Sequence, residues 1–218
     1  MQNTIILKNA TKTFKDKVVF HDLNLEMTSG NSYGFVGYNG CGKSVLMKTI
    51  CGFSRLSLGE IYQNDKRIGI DIDFITDAGV IIETPSFMEH LSGLKNLQRI
   101  AEIQNKITYD EIEDTLKLLD LYDDRNKTVR KYSLGMKQKL RIAQAIMEKP
   151  QILILDEPTN GLDKKSAELL RSVLLDFVKQ GGLLIMASHN KTDIDLCCNH
   201  VFEFEYGGIT RVTPDELS

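Results

Sequence analysis

Eight residues, Gly37-Tyr38-Asn39-Gly40-Cys41-Gly42-Lys43-Ser44, constrain the fold of this chain more than any others. They stand between a short apolar run, Ser32 to Val36, and a segment from Lys43 to Cys51 that continues as a helix through Val45. A strand that runs into glycines and leaves as a helix is built to hold phosphate. Glycine permits backbone angles that turn successive N–H groups inward, and the helix start offers further unpaired donors. In the pattern GxxxxGK[ST], Lys43 supplies a point charge for the β- and γ-phosphates and the Ser44 hydroxyl a ligand for Mg²⁺.

The stretch from Lys131 to Asp163 carries a second set of chemical groups. Its aliphatic run Ile152 to Leu155 reads as a buried strand ending in Asp156 and Glu157. A carboxylate at the end of a buried strand is costly unless paired, and the Mg²⁺ of a nucleotide provides the pair for Asp156. Glu157 is placed to orient or deprotonate water for attack on a γ-phosphate. The alternative, an acid that merely starts a helix, fits less well because Pro158 favours a tight exit. His189 follows LLIMAS at the end of another apolar strand and is a candidate polar contact to the γ-phosphate and the attacking water. Upstream, Ser133-Leu134-Gly135 opens a helix and forms a second anion site. Two phosphate-binding elements with one acid pair is an odd inventory for a self-contained enzyme.

At 218 residues and 42% hydrophobic content, the chain can bury one good core, and a single domain spanning residues 1–218 is expected. The net charge of −3 gives no basic field for nucleic acid, so none is expected as a partner. No apolar run approaches the roughly 18–20 residues that span a bilayer, and the N-terminus lacks the pattern of a signal peptide. The four cysteines, Cys41, Cys51, Cys197 and Cys198, have no CxxC spacing, which suits a reduced cytosolic protein with Cys51 in the core. Cys197-Cys198 reads as incidental rather than as a metal or redox pair.

Strand and helix signals alternate, as in α/β proteins. Ile5, Leu7, Leu23, Leu25 and Met27 alternate with polar residues and predict half-buried antiparallel strands near the N-terminus. Residues 59–68 read as a hairpin turning at Asn64-Asp65, and Val80 to Ile82 as a buried strand. A nearly continuous helical section is expected over 85–148, with Thr108 and Glu111 as a capping box and Ile112, Leu116 and Leu119 on one face. Asp163 to Lys179 predicts a helix burying Ala167, Leu170, Leu174 and Phe177, stopped by Gly181-Gly182. Leu183 to Ala187 reads as a core strand, and Val201 to Phe204 as the last short one, before a Gly207-Gly208 turn.

Taken in order, GYNGCGKS, YSLGMKQ, ILILDEP, TNGLD and SH resemble the nucleotide-binding subunit of an ABC transporter. The likeness runs from Phe14 to about His189. It implies a P-loop NTPase core of mainly parallel sheet, an N-terminal antiparallel β layer and a helical insertion over about 85–145. It also implies ATP and Mg²⁺ as cofactors. Phe14 would stack on adenine, and Gly37, Tyr38, Asn39, Gly40, Cys41, Gly42, Lys43, Ser44 and Val45 would cradle the phosphates. Catalysis would fall to Glu157, His189 and Lys43, and metal binding to Ser44, Asp156 and Glu83.

The resemblance accounts for the surplus anion site. Two subunits of that family pack head to tail, so Ser133, Gly135 and the D-loop residue Asp163 would face the partner's nucleotide. The partner subunit would be an identical or related ATPase. The pair would drive an integral membrane permease from the cytoplasmic face of the cell membrane. A docking surface is expected beside Glu83, where Phe87, Met88, Leu91 and Leu94 are unusually apolar.

The pattern departs from the common one at four places: Tyr132, Leu134 and Met136 in the signature, and Glu83 where glutamine is usual. GVIIETPSFMEHLSGLKNL together with YSLGMKQKL is similar to the bacitracin and lantibiotic-export branch, where glutamate occurs at the Glu83 position, and this implies an exporter. Two other readings stay open, a soluble ABC-type ATPase acting on a non-transport machine and a P-loop kinase or GTPase. The last leaves YSLGMKQ and the SH pair unexplained.

Overall fold

The computed structural model describes residues 3–15, 17–83, 87–205 and 207–212. Two sheets share one interior. Strands β1 (Thr4–Phe14) and β2 (Lys17–Thr28) pair antiparallel, with Ile5 opposite Met27 and Leu7 opposite Leu25. These four side chains, together with Leu23, are buried, so the alternation reads directly as one wet and one dry face. Strand β4 (Leu58–Gln63) lies on the other edge of β1, and β5 (Lys66–Arg67) returns beside it through the expected Asn64-Asp65 turn. Asn64 takes a left-handed backbone there, φ 55°.

The second sheet contains β3 (Ser32–Val36), β6 (Ala78–Ile81), β7 (Ile152–Asp156), β8 (Leu183–Ala187), β9 (His200–Glu205) and β10 (Gly208–Val212). Its order is β10-β9-β3-β8-β7-β6, parallel throughout except for β10. Both faces are covered, which is why β7 and β8 are apolar without alternation. Ile152, Ile154, Leu183 and Ile185 pack with the antiparallel layer and α1 (Lys43–Ile50). Leu153, Leu155, Leu184 and Met186 face the helical side. That side is made by α2 (Gly93–Gln104), α3 (Tyr109–Leu118), α4 (Leu134–Ile146), α5 (Lys164–Lys179) and α6 (Lys191–Cys197).

Several local expectations are met in detail. Thr108 and Glu111 form a reciprocal capping box at the start of α3, and Ile112, Leu116 and Leu119 are buried. Asp163 caps α5, which buries Ala167, Leu170 and Leu174 while Phe177 is half-buried; Gly181 follows with φ 93°. Cys51 is fully buried, and burial pushes its thiol pKa up to about 12. Cys197 and Cys198 are buried free thiols packed in the core, with Cys197 pushed up to about 11 by burial.

Two expectations are corrected. The section from 85 to 148 is not almost wholly helical. α3 ends at Leu118, Asp120 takes φ 53°, and turns lead through a short 3-10 segment, Val129–Lys131, into α4. Leu119 and Leu121 are buried and Arg125 pairs with Glu113, so the chain is held without a helix. Pro85, where that section was to begin, lies outside the described residues. Val201 to Phe204 is also not the last strand, because β10 follows the Gly207-Gly208 turn and pairs antiparallel with β9. β10 has no fully buried residue, so its apolar signal is weak.

Candidate functional site

The carboxyl ends of β3, β8 and β7 lie side by side, and each carries one of the candidate segments to the same edge of the sheet. From β3 the chain enters Gly37 to Gly42. Gly37 has φ 140° and Gly42 φ 128°, values closed to ordinary side chains. A Cβ on Gly42 would also lie 2.7 Å from Val19 Cγ1. No side chain caps the start of α1 at Gly42, so its first N–H groups keep their donors for a ligand.

Lys43 is buried, and its ammonium donates to Gly37 O at 2.7 Å and Tyr38 O at 3.2 Å. The positive charge is thereby held over the loop formed by Tyr38, Asn39, Gly40 and Cys41. Ser44 hydrogen-bonds Asp156 Oδ2, which ties the start of α1 to the end of β7. Val45 occupies the next position in the first turn of α1. Asp156 forms no ion pair with a Lys, Arg or His among the described residues. A hydroxyl and an unpaired carboxylate at one point are hard oxygen donors suited to Mg²⁺.

Glu157, next in sequence, has a left-handed backbone, φ 51°, and its N–H donates to Ala187 O at 2.9 Å. Its carboxylate accepts from the backbone N–H of His189 at 3.1 Å and lies 2.8 Å from His189 Nδ1. The structure therefore brings together two linked pairs from different strands, Ser44 with Asp156 and Glu157 with His189.

Ser133, Gly135 and Asp163 form a separate group. Ser133 caps α4, its Oγ accepting from Met136 N at 3.2 Å. Asp163 caps α5, and the Ser166 N–H holds its carboxyl below the ordinary range. A Cβ on Gly135 would lie 3.0 Å from Gly161 O, so the start of α4 abuts the loop that precedes Asp163. Leu134 covers Gly161 yet is 68% exposed, an apolar residue presented to solvent at the N-terminal end of α4. Gln138, buried, donates to Pro158 O at 2.8 Å and links α4 to the segment just beyond Glu157.

Phe14 ends β1 half exposed, with the Lys12 ammonium 4.5 Å from its ring centroid. Glu83 has φ 61° and forms an ion pair with Lys48 on α1, four residues beyond Ser44. Of the apolar residues expected at a docking surface, Leu94 is core and Phe87 packs against the core, whereas Met88 is exposed. Sequence reading missed Lys48, Gln138 and a buried cluster around Asp193. Asp193 resembled an ordinary first-turn acid of α6, and nothing local marks it as buried.

A sequence-family model described as ABC transporter matches residues 20–160. The chain is 35% identical to the bacitracin transport ATP-binding protein BcrA of Enterococcus faecalis, over 89% of this chain and 64% of that protein. It is 30% identical to the lantibiotic transport ATP-binding protein SrtF of Streptococcus pyogenes, over 87% of this chain and 81% of that one. A solved structure, the dimeric post-hydrolysis state of the ATP-binding cassette MJ0796 bound to ADP and Pi, superposes with a TM-score of 0.86. It covers 96% of this chain and 98% of that chain at 21% identity, a likeness of fold.

Proposed function

This chain is an ATPase of the ABC transporter family, and from that membership we propose that two subunits close head to tail around two ATP molecules to drive a separate membrane permease in export. The pairing of Glu157 with His189 beside the Ser44–Asp156 link carries this reading. It puts two acids, a histidine and a hydroxyl at the ends of neighbouring strands, groups of the kind that a general base, its orienting partner and a metal-binding pair would need.

The chain would act as one cassette with its helical insertion over about 85–145. Gly37 to Val45 receive the triphosphate, with backbone N–H groups and the Lys43 ammonium set against its charge. Phe14 offers a ring face to the base. Ser44 and Asp156, with Glu83 as a third candidate, would hold Mg²⁺, which would neutralise phosphate charge. Glu157 would orient and deprotonate the attacking water, and His189 would fix that carboxylate and contact the γ-phosphate.

Ser133, Gly135 and Asp163 would meet the nucleotide of the partner subunit, which is an identical chain or a related ATPase. ATP then favours the closed pair only by its differential affinity for that state, and loss of the γ-phosphate removes the advantage. Among the described residues no helix is long and apolar enough to cross a membrane. The motion is therefore assigned to a permease docked beside Glu83 and Met88, with the subunit peripheral on the cytoplasmic face. The likeness to BcrA and SrtF supports export of a peptide antibiotic or similar compound.

Three measurements test the reading. The chain should release phosphate from ATP with Mg²⁺ and no phosphoacceptor, and Glu157→Gln should accumulate an ATP-bound dimer by size-exclusion chromatography with light scattering. A Glu157→Gln chain that binds ATP at saturation yet stays monomeric would sink the shared-site arrangement. Co-purification with a polytopic membrane protein tests the permease.

A further inference from the structure

Asp193, in the first turn of α6, is 1% exposed, and a carboxylate at that depth is expensive unless every lone pair is engaged. Here they are. Oδ1 accepts from Arg171 Nη2 at 2.6 Å and Nε at 2.7 Å, and Oδ2 accepts from Thr159 and from Ser188 Oγ at 3.2 Å. Ser188 Oγ in turn accepts from Asn190 N at 3.0 Å. The partners come from α5, from the loop two residues beyond Glu157, and from the residue just before His189. The carboxylate thus bridges the two segments whose front ends meet as Glu157 and His189.

We propose that Asp193 is a positioning residue, locking the Glu157 loop to the His189 loop from behind so that the two side chains face each other. The inference rests on the reading that Glu157 and His189 serve ATP hydrolysis. Glu157 needs such support because its left-handed backbone persists only when its surroundings hold it there. The front contact cannot do this alone, since the His189 side chain is 58% exposed. The buried bridge is shielded from water and joins both loops through hydroxyls on a single oxygen.

Thr159→Val removes one hydroxyl at nearly constant shape and leaves the Arg171–Asp193 pair in place. Misplacing a reacting group by about 1 Å costs about a hundred-fold, so kcat should fall about ten- to hundred-fold with KM for ATP within about two-fold. Thr159→Ser, which keeps the hydroxyl, should restore kcat. Ser188→Ala removes the other hydroxyl on Oδ2 and should give the same split, which serves if Thr159→Val does not fold. Because both act through one carboxylate, the double variant should be little worse than the more severe single.

A readout free of turnover is the ring resonances of His189 in the nucleotide-free chain, which has four histidines to assign. Thr159→Val should move the His189 signals while leaving those of His21 and His90 in place, and Thr159→Ser should not. Unmoved His189 signals, kcat within about two-fold of the unsubstituted chain, or additive effects in the double variant would overturn the proposal. An unsubstituted chain that releases no phosphate would count against the hydrolysis reading instead, and the resonance comparison would still decide this one.

Discussion

His189 grips Glu157 twice: its backbone N–H donates to the carboxylate at 3.1 Å, and its ring Nδ1 lies 2.8 Å from Oε2. No Lys or Arg forms an ion pair with that carboxylate among the described residues, so its direction is set by His189 and by the left-handed turn beneath it. A carboxylate aimed in this way is oriented without being neutralised by a permanent cation, as the proposed general base requires.

Removing the ring should therefore leave ATP binding and lose alignment. In His189→Ala the backbone donor remains, but the ring contact and any contact to the γ-phosphate disappear. General-base alignment of this kind contributes about 10²- to 10⁴-fold, so kcat should fall within that range while ATP affinity stays within about three-fold. Phosphate release and a fluorescent-nucleotide titration measure the two. Unchanged turnover would remove His189 from the mechanism.

Ser133 is expected to act on nucleotide only when two subunits meet. Its hydroxyl caps α4, so Ser133→Arg loses that cap, a cost of about 1 kcal/mol. Ser133→Asp keeps a capping oxygen and adds a negative charge where a partner's γ-phosphate would lie. Both variants, placed on Glu157→Gln, should bind ATP as monomers and fail to form the ATP-bound dimer. A dimer of unreduced yield from Ser133→Asp would show that this helix start makes no contact across the interface.

How much of this was legible depends on what marks a residue locally. The loop from Gly37 to Ser44 and the acids at Asp156-Glu157 announce themselves, because glycine in a left-handed turn and charge at the end of an apolar strand have few other uses. The Asp193 cluster and the Lys48–Glu83 pair do not, since Thr159 and Arg171 lie 34 and 22 residues from Asp193 and Lys48 lies 35 from Glu83, all of them side chains common on any surface. The turn region after α3 was hidden for a related reason. Leu119 and Leu121 keep an apolar signal running through a segment that Asp120 has already broken out of helical geometry.

Packing of the helical insertion on the sheet edge yields a stability prediction. A Cβ on Gly79 of β6 would lie 1.9 Å from Ala145 O in α4, and a backbone oxygen cannot move aside like a side-chain tip. Gly79→Ala must push β6 and α4 apart, an overpacking cost of about 1–3 kcal/mol. The urea midpoint should fall accordingly with little change in slope. A midpoint equal to that of the unsubstituted chain would show that the two elements separate freely.

The Lys48–Glu83 ion pair makes a signed prediction about metal binding. The Glu83 carboxylate is held by Lys48, so to ligate Mg²⁺ beside Ser44 and Asp156 it must first leave that ammonium. The Lys48 side chain is 32% exposed and that of Glu83 67%, and an exposed pair is worth about 0.2–1 kcal/mol. Lys48→Met frees the carboxylate, and the Mg²⁺ concentration giving half-maximal hydrolysis should fall by no more than about five-fold. The gain must vanish in Lys48→Met/Glu83→Ala, because the freed group is then absent. If Lys48→Met leaves the Mg²⁺ dependence unchanged, Glu83 serves as the counterion of Lys48 and the metal rests on Ser44 and Asp156 alone.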